Sequence, residues 1–282
     1  MSQAIVVTGA STGIGEAVAR DLAECGFIVY AGVRNDGDAG RVAATHPNLR
    51  PVLLDVTDEA ACVRAARTVA EEGVPLLGVV NNAGIAVAGP LEFLPLAEMR
   101  RQFEVNVFGA LAVTQAFLPL LRARGGGRIV FVGSIAGRLT PPLLGPYSAS
   151  KHALRAVANA MRLELAPAHI RVSLIEPGSV KTPIWAKGRA EFTAMLARLP
   201  AAAFAPYGAS LRNLTTVTEA EERNGLPVAV VVAAIRHALL SPRPRRSYLL
   251  GFPARAGAIV SLFPALRDRL FAGMMKKGET GT

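Results

Sequence analysis

Thr8-Gly9-Ala10-Ser11-Thr12-Gly13-Ile14-Gly15 follows the apolar run 4–7 and precedes a stretch with helical spacing. Glycines at positions 9, 13 and 15 permit a tight turn, close approach of a diphosphate, and close packing of helix on strand. Ser11, Thr12 and Ile14 complete the turn. The helix N-terminus beyond it offers free N–H groups and the positive end of its dipole to an anion. Glycine turns are common between strands and helices, so the meaning of this one depends on its surroundings.

Outward from the turn, short apolar runs recur at 4–8, 27–33, 52–56, 78–81, 128–134, 170–176 and 247–251. Most are apolar along their whole length, as expected of parallel strands covered on both faces. Helical spacing connects them. Ala17, Val18, Leu22 and Cys25 form one stripe, while 96–123 and 147–166 are long enough for substantial helices, the second closing near Pro167. This alternation predicts an α/β, doubly wound Rossmann fold: a seven-stranded, mostly parallel sheet with helices on both faces. With no repeat or flexible linker, one domain over 1–251 fits better than two. From 183 to 226 the pattern loosens around Pro200, Pro206 and Gly208, with helical pieces such as 191–199. A late insertion of this kind is expected to be a substrate lid.

Composition bounds the class. Hydrophobic residues are 51% and charged residues 18% of 282, which excludes a disordered chain. The net charge of +10 is uneven, because residues 181–282 hold 15 basic and 6 acidic side chains. Cys25 and Cys62 lack metal or disulfide spacing and read as buried small hydrophobes of a reducing compartment. His46, His152, His169 and His237 show no ligand spacing, so no metal is expected. The start of the chain lacks the features of a secretory signal. The apolar run 228–235 is far shorter than the roughly 20 residues of a membrane span. A cytoplasmic protein is the expectation.

The corner after the second strand reads Gly32-Val33-Arg34-Asn35. A carboxylate there would indicate NAD. Val33 cannot accept hydrogen bonds from a ribose hydroxyl, whereas Arg34 can grip a 2′-phosphate with two donors. NADP(H) is therefore preferred over NAD(H). The alternative makes Arg34 a solvated loop residue and gives the ribose to Asp36.

Ser134 lies at the end of the fifth predicted strand, and Tyr147 and Lys151 open the next helix on one face, four residues apart. A tyrosine of pKa near 10 is a poor neutral-pH catalyst unless its anion is favoured. An ammonium one turn away does that. Taken alone, Tyr-x-x-x-Lys is a frequent accident.

The combination of the 9–15 turn, Asn81-Asn82-Ala83-Gly84, Asn106, Ser134, Tyr147-Ser148-Ala149-Ser150-Lys151 and Pro177-Gly178, in that order, resembles the short-chain dehydrogenase/reductase family over about 4–251. The stretch 91–187 is more faintly similar to steroid and retinol dehydrogenases. The resemblance implies roles. Tyr147 would exchange a proton with the carbonyl or alcohol oxygen, Ser134 would hydrogen-bond that oxygen, and Lys151 would lower the tyrosine pKa and hold the nicotinamide ribose. Asn106 would position a relay water. Asp55 and Val56 would meet the adenine, and Asn82, Ala83 and Gly84 the adenosine ribose. Glu176, Pro177, Gly178 and Thr182 would place the nicotinamide amide, and Asn81 would tie neighbouring strands. Thr12 stands where many NADP-dependent members carry a base. Helices 96–123 and 147–166 would form a dimer contact, giving a homodimer or homotetramer.

The expected activity is carbonyl–alcohol interconversion on a lipophilic substrate, steroid-, retinoid- or 3-oxoacyl-like. Leu139, Leu143, Leu144, Trp185 and Phe192 are candidate pocket walls, beside Ser134 and Tyr147. Two other classes stay open: a non-catalytic NADP(H)-binding regulator or scaffold, and a lipid-surface protein governed by its tail. That tail, 252–282, is a basic amphipathic extension, with Ile259, Phe263, Leu266, Leu270 and Met274 on one stripe and Pro264 kinking or starting the helix. Residues 236–277 could pack on the enzyme body, meet an anionic membrane, or attract an acyl carrier. Nucleic acid is not expected, since the basic residues lack interleaved aromatics.

Overall fold

Strands that are apolar throughout belong inside a sheet, and β1 (Ala4–Thr8) is buried at every position. The computed structural model describes residues 3–251, 256 and 259–276. Six further strands join β1: β2 (Ile28–Val33), β3 (Leu49–Leu53), β4 (Leu76–Asn81), β5 (Gly127–Val132), β6 (Ile170–Pro177) and β7 (Ser247–Leu250). Their order is β3-β2-β1-β4-β5-β6-β7. Every neighbouring pair runs parallel, where a mostly parallel sheet was expected. The β3 strand begins three residues before the predicted 52, because Arg50 and Pro51 read as a break. At a sheet edge, a proline missing one ladder donor is tolerated. Asp55 and Val56 therefore lie in the turn beyond β3. Likewise β5 stops at Val132, which leaves Ser134 in the loop that follows.

Helices cover both faces. On one side α3 (Glu59–Glu71), α5 (Gly109–Ala123) and α6 (Gly145–Glu164) bury Phe117, Leu121 and Leu154 against Ile129 and Phe131. On the other, α1 (Gly13–Glu24) and α9 (Val228–Leu240) bury Val18, Leu22 and Ile235 against Ile5 and Val130. Each such aliphatic or aromatic side chain contributes about 1.5–3 kcal/mol of burial. Cys62 is buried as expected, but Cys25 is exposed: it caps α1 after the turn that carries Leu22 and Ala23 inward. A short helix, α2 (Asp36–Ala43), lies between β2 and β3.

Helix α4 (Leu96–Phe103) runs through a π-helical turn (Glu104–Phe108) into α5. The combined stretch Leu96–Ala123 is long and apolar enough to cross a membrane by length and composition. Here Val113, Thr114, Phe117 and Leu121 make it a core helix. Asn81 ties β4 to this helix, not to a neighbouring strand as expected: its Nδ2 donates to Thr114 Oγ1 at 2.8 Å, wholly buried. Asn81 Oδ1 has no partner among the described residues, so this bond is what satisfies the amide. Thr114→Val should cost about 1–3 kcal/mol by leaving a buried donor unmade. Urea unfolding of the variant checks this, and unchanged stability would refute it.

Between β6 and β7, residues 182–226 are more regular than their proline and glycine content predicts. They form α7 (Ile184–Leu196) and α8 (Phe204–Asn224), with Pro206 tolerated in the first turn of α8. Val180 and Leu226 close the base of the insertion in a parallel bridge. The C-terminal helix starts at Pro264 (Pro264–Lys276) and lies beside α8. Ile259, Leu262 and Phe263 before it are exposed. The side chains of Leu266, Leu270 and Met274, and residues 252–255 and 277–282, lie outside the described parts of the structure.

Candidate active site

The order in which the strands were laid down reverses between β1 and β4, and the crevice outside their carboxyl ends is where ligands bind in such folds. Gly9 (φ +62°) and Gly13 (φ +63°) hold left-handed conformations that make the turn. A Cβ on Gly15 would overlap the Gly9 carbonyl oxygen, so only glycine lets the helix sit this close. Thr8 Oγ1 accepts from the Asn82 and Ala83 N–H groups, both at 3.0 Å. Asn82 Nδ2 donates to Thr8 O at 2.9 Å and Gly9 O at 3.2 Å. The Asn82 amide thus holds the turn in place, while Ala83 and Gly84 follow it along the crevice. Thr12 caps α1 without using its side chain on the helix. Lys187 of α7 reaches it, Nζ to Oγ1 at 3.4 Å, and Thr182 packs over Gly13. Two open glycine conformations, a free helix N-terminus with Ser11 and Ile14 beside it, and an adjacent ammonium fit a dinucleotide diphosphate.

At the β2 corner, Arg34 is exposed and makes no hydrogen bond or ion pair among the described residues. Asn35 caps α2, its Oδ1 accepting from Asp38 N at 2.8 Å, and Asp36 is exposed in the first turn. Arg41 was not singled out from sequence. It bonds the Ser11 carbonyl and pairs with Asp38 at 3.0 Å and Glu16 at 3.3 Å, fixing α2 to the turn. Arg41 also holds the Asp38 carboxyl below its ordinary range. Beyond β3, one Asp55 oxygen accepts from Thr57 N at 2.9 Å and Thr57 Oγ1 at 2.8 Å, leaving the other for a ligand. Val56 is buried beneath Gly109, so its side chain supports α5.

Tyr147 and Lys151 share a face of α6 as their spacing predicts, with Lys151 Nζ 5.7 Å from the tyrosine ring centre. The Ser134 hydroxyl faces Tyr147 and favours its anion, and it accepts from Ala136 N at 3.1 Å. Lys151 Nζ donates to Val132 O at 2.9 Å, and burial pushes its pKa down to about 8. Burial raises the Tyr147 pKa, with Ser134 opposing it in part. Burial outweighs the Ser134 hydroxyl and moves the Tyr147 pKa upward, opposite to the direction expected from sequence. Asn106 lies in the π-helical turn, a departure frequent at functional sites. It accepts from Ile85 N at 2.9 Å and donates to Ile85 O at 3.0 Å and Ser150 Oγ at 3.1 Å. Because Gly84 has no side chain, Asn106 Oδ1 and Lys151 Nζ border one open space, 3.3 and 3.7 Å from where a Cβ would stand.

Pro177 ends β6, and Gly178 N bonds Leu250 O at 3.2 Å. Glu176, expected to help place the nicotinamide, is wholly buried and engaged elsewhere. Arg138 grips it at 2.7 and 2.6 Å, and Ser247 bonds it from β7. Of the expected pocket walls, Leu143 and Phe192 meet in one apolar cluster with Met195 and Leu211, two residues not foreseen. Leu143 holds φ +65°, an uncommon conformation for a branched side chain that recurs at binding sites. Leu139 and Leu144 stay outside that cluster, and Trp185 Nε1 is pinned to Val180 O at 2.7 Å. Among the described residues no cluster of His, Cys, Asp and Glu has the makings of a metal site.

Residues 3–193 match a family model described as short chain dehydrogenase. An NADPH-dependent 3-dehydrocapnine reductase of Ornithobacterium rhinotracheale is 35% identical, over 96% of this chain and 97% of that protein. A Burkholderia cenocepacia short chain dehydrogenase solved with NADP superposes with a TM-score of 0.72 at 28% identity, covering 97% of each chain. One from Burkholderia phymatum solved with NAD has a TM-score of 0.78 at 26% identity, covering 95% of each chain.

Proposed function

The chain belongs to the short-chain dehydrogenase family, and from that premise we propose an NADP(H)-dependent oxidoreductase interconverting a carbonyl and an alcohol on a lipophilic substrate, steroid-, retinoid- or 3-oxoacyl-like. The observation that carries this reading is the convergence of Ser134, Tyr147 and Lys151 beside the 9–15 cradle. NADP(H) supplies or takes up the hydride when bound. The cradle holds its diphosphate, Arg34 its 2′-phosphate, Asp55 its adenine, and Lys151, Pro177, Gly178 and Thr182 its nicotinamide end. In reduction, Tyr147 gives its hydroxyl proton to the carbonyl oxygen while Ser134 donates a hydrogen bond to the same oxygen. A tyrosine that burial keeps protonated suits this direction. The gap beside Gly84 takes a water between Asn106 and Lys151, through which the proton is restored.

We assign residues 1–251 to one domain, with 183–226 its lid and Leu143, Phe192, Met195 and Leu211 the apolar wall that receives the substrate. The exposed Phe108 and Leu163, 54% and 77% accessible on the long helices, support a homodimer or homotetramer. A cytoplasmic location is part of the same reading, with residues 236–277 left to meet a membrane or an acyl carrier.

The test is NADPH consumption with ketosteroids, retinal, 3-oxoacyl thioesters and small quinones, followed across pH. The apolar carbonyl compounds should turn over faster than the small quinones. The reductive rate should hold through neutral pH and fall above about 8, where Lys151 loses its proton and its hold on the site. Preference for small quinones, or a rate flat through the alkaline range, would contradict this reading.

A further inference from the structure

The register of β5 against β6 sets Arg128 directly opposite Arg171, a like-charge cross-strand pair that costs the sheet stability. Arg162, from the last turn of α6, and Arg246, just before β7, join them with His169 around a cavity of about 490 Å³. This cavity lies where β5 and β6 begin, the sheet edge opposite the one that carries Tyr147. Its size falls within the roughly 300–1,000 Å³ of small-molecule sites.

The partners of these guanidinium groups are uncharged. Arg128 donates to the carbonyls of Gly127 at 3.2 Å and Ser241 at 3.3 Å, and its Nε is buried with no partner among the described residues. Arg162 donates to Val172 O at 3.3 Å and Asn159 Oδ1 at 2.9 Å, and Arg171 donates to the Pro242 carbonyl. Among the described residues no carboxylate forms an ion pair with any of the four. Burial first, and then Arg171 and Arg124, hold the Arg128 pKa below the ordinary arginine value; burial and Arg246 do the same to Arg162, with Glu176 opposing. Folding has thus gathered like charges at some cost and given them no ion-paired carboxylate, since Glu176, whose charge reaches Arg162, is held by Arg138. An anion with several oxygen acceptors offsets that cost through charge-assisted hydrogen bonds.

We propose that Arg128, Arg162, Arg171 and Arg246 form a second ligand site, apart from the cofactor cradle, for a phosphoryl group or comparable multivalent oxyanion. The group is carried either by a soluble molecule or by a lipid headgroup.

The test uses the full chain saturated with NADPH, so that the cradle is occupied, titrated by calorimetry with inorganic pyrophosphate at low salt. A parallel arm measures co-sedimentation with vesicles of equal parts phosphatidylcholine and phosphatidylglycerol. Arg162→Gln combined with Arg246→Gln should weaken pyrophosphate binding by at least about tenfold, about 1.4 kcal/mol, because two charge-assisted contacts are lost. Arg243→Gln, a charge of the same loop outside the cavity wall, should leave it within about twofold. Without anion the double variant should melt no lower than the parent chain, since a repulsion has been relieved. Pyrophosphate binding without vesicle capture assigns a soluble anion, and vesicle capture lost in the double variant assigns a headgroup. Binding in neither arm, affinity unchanged in the double variant, or a melting point well below the parent would overturn the proposal.

Discussion

Tyr147→Phe should lower turnover by about a thousandfold, within the range that general acid–base groups contribute. The variant removes one oxygen and keeps the ring. Burial on α6 and the contact with Lys151, 5.7 Å from the ring centre, should survive. What disappears is the proton aimed at the substrate oxygen and the hydroxyl that faces Ser134. Ser134 cannot replace it, because a serine hydroxyl is a far weaker acid. NADPH affinity should stay close to that of the parent chain, since the cradle is built from β1, α1 and β4. Steady-state kinetics with fluorescence-detected NADPH binding separates the two quantities. Retained activity would remove Tyr147 from the chemistry, and lost NADPH binding would make it structural.

Arg34→Ala should weaken NADPH by about ten- to a hundredfold while changing NADH by less than about threefold, the loss expected for charge-assisted bonds to one phosphate. The guanidinium is exposed and without a partner among the described residues, so its removal breaks nothing inside the protein. That makes the comparison clean. The 2′-hydroxyl of NADH has no charge for Arg34 to lose, and Asp36 lies in the first turn of α2, on the same corner. Equal losses for the two cofactors would return Arg34 to the solvent and hand the ribose to Asp36. The corresponding Arg41→Ala change acts differently. It frees Ser11, Glu16 and Asp38 together and should loosen both cofactors.

Much of the fold was legible because parallel strands buried on both faces leave uninterrupted apolar runs. The exception, β3, shows the limit: Arg50 and Pro51 look like a break, and only an edge position makes them tolerable. The site was legible where its residues are close along the chain, as with the glycines of the turn or Tyr147 and Lys151 on one helical face. It was not legible where tertiary placement decides. Glu176 sits beside a conspicuous Pro-Gly pair, yet folding buries it under Arg138 and Ser247. Arg41 and Lys187 come to the turn from 30 and 175 positions away, and nothing local marks either. The indole hydrogen bond that turns the polar edge of Trp185 to Val180 was not legible either. The direction of the Tyr147 shift was also hidden, since it depends on how completely the crevice excludes water.

That one crevice binds NADP(H) and uses Tyr147 to move the proton is open to direct measurement. A single-turnover measurement tests it most directly. The parent chain and Tyr147→Phe, both loaded with NADPH to the same occupancy, are mixed with the apolar ketone or aldehyde that the parent reduces best. The parent should consume its bound NADPH in one fast phase. The variant should hold its NADPH essentially unconsumed over the same interval, at unchanged occupancy. Matching decay in the two proteins would contradict the account.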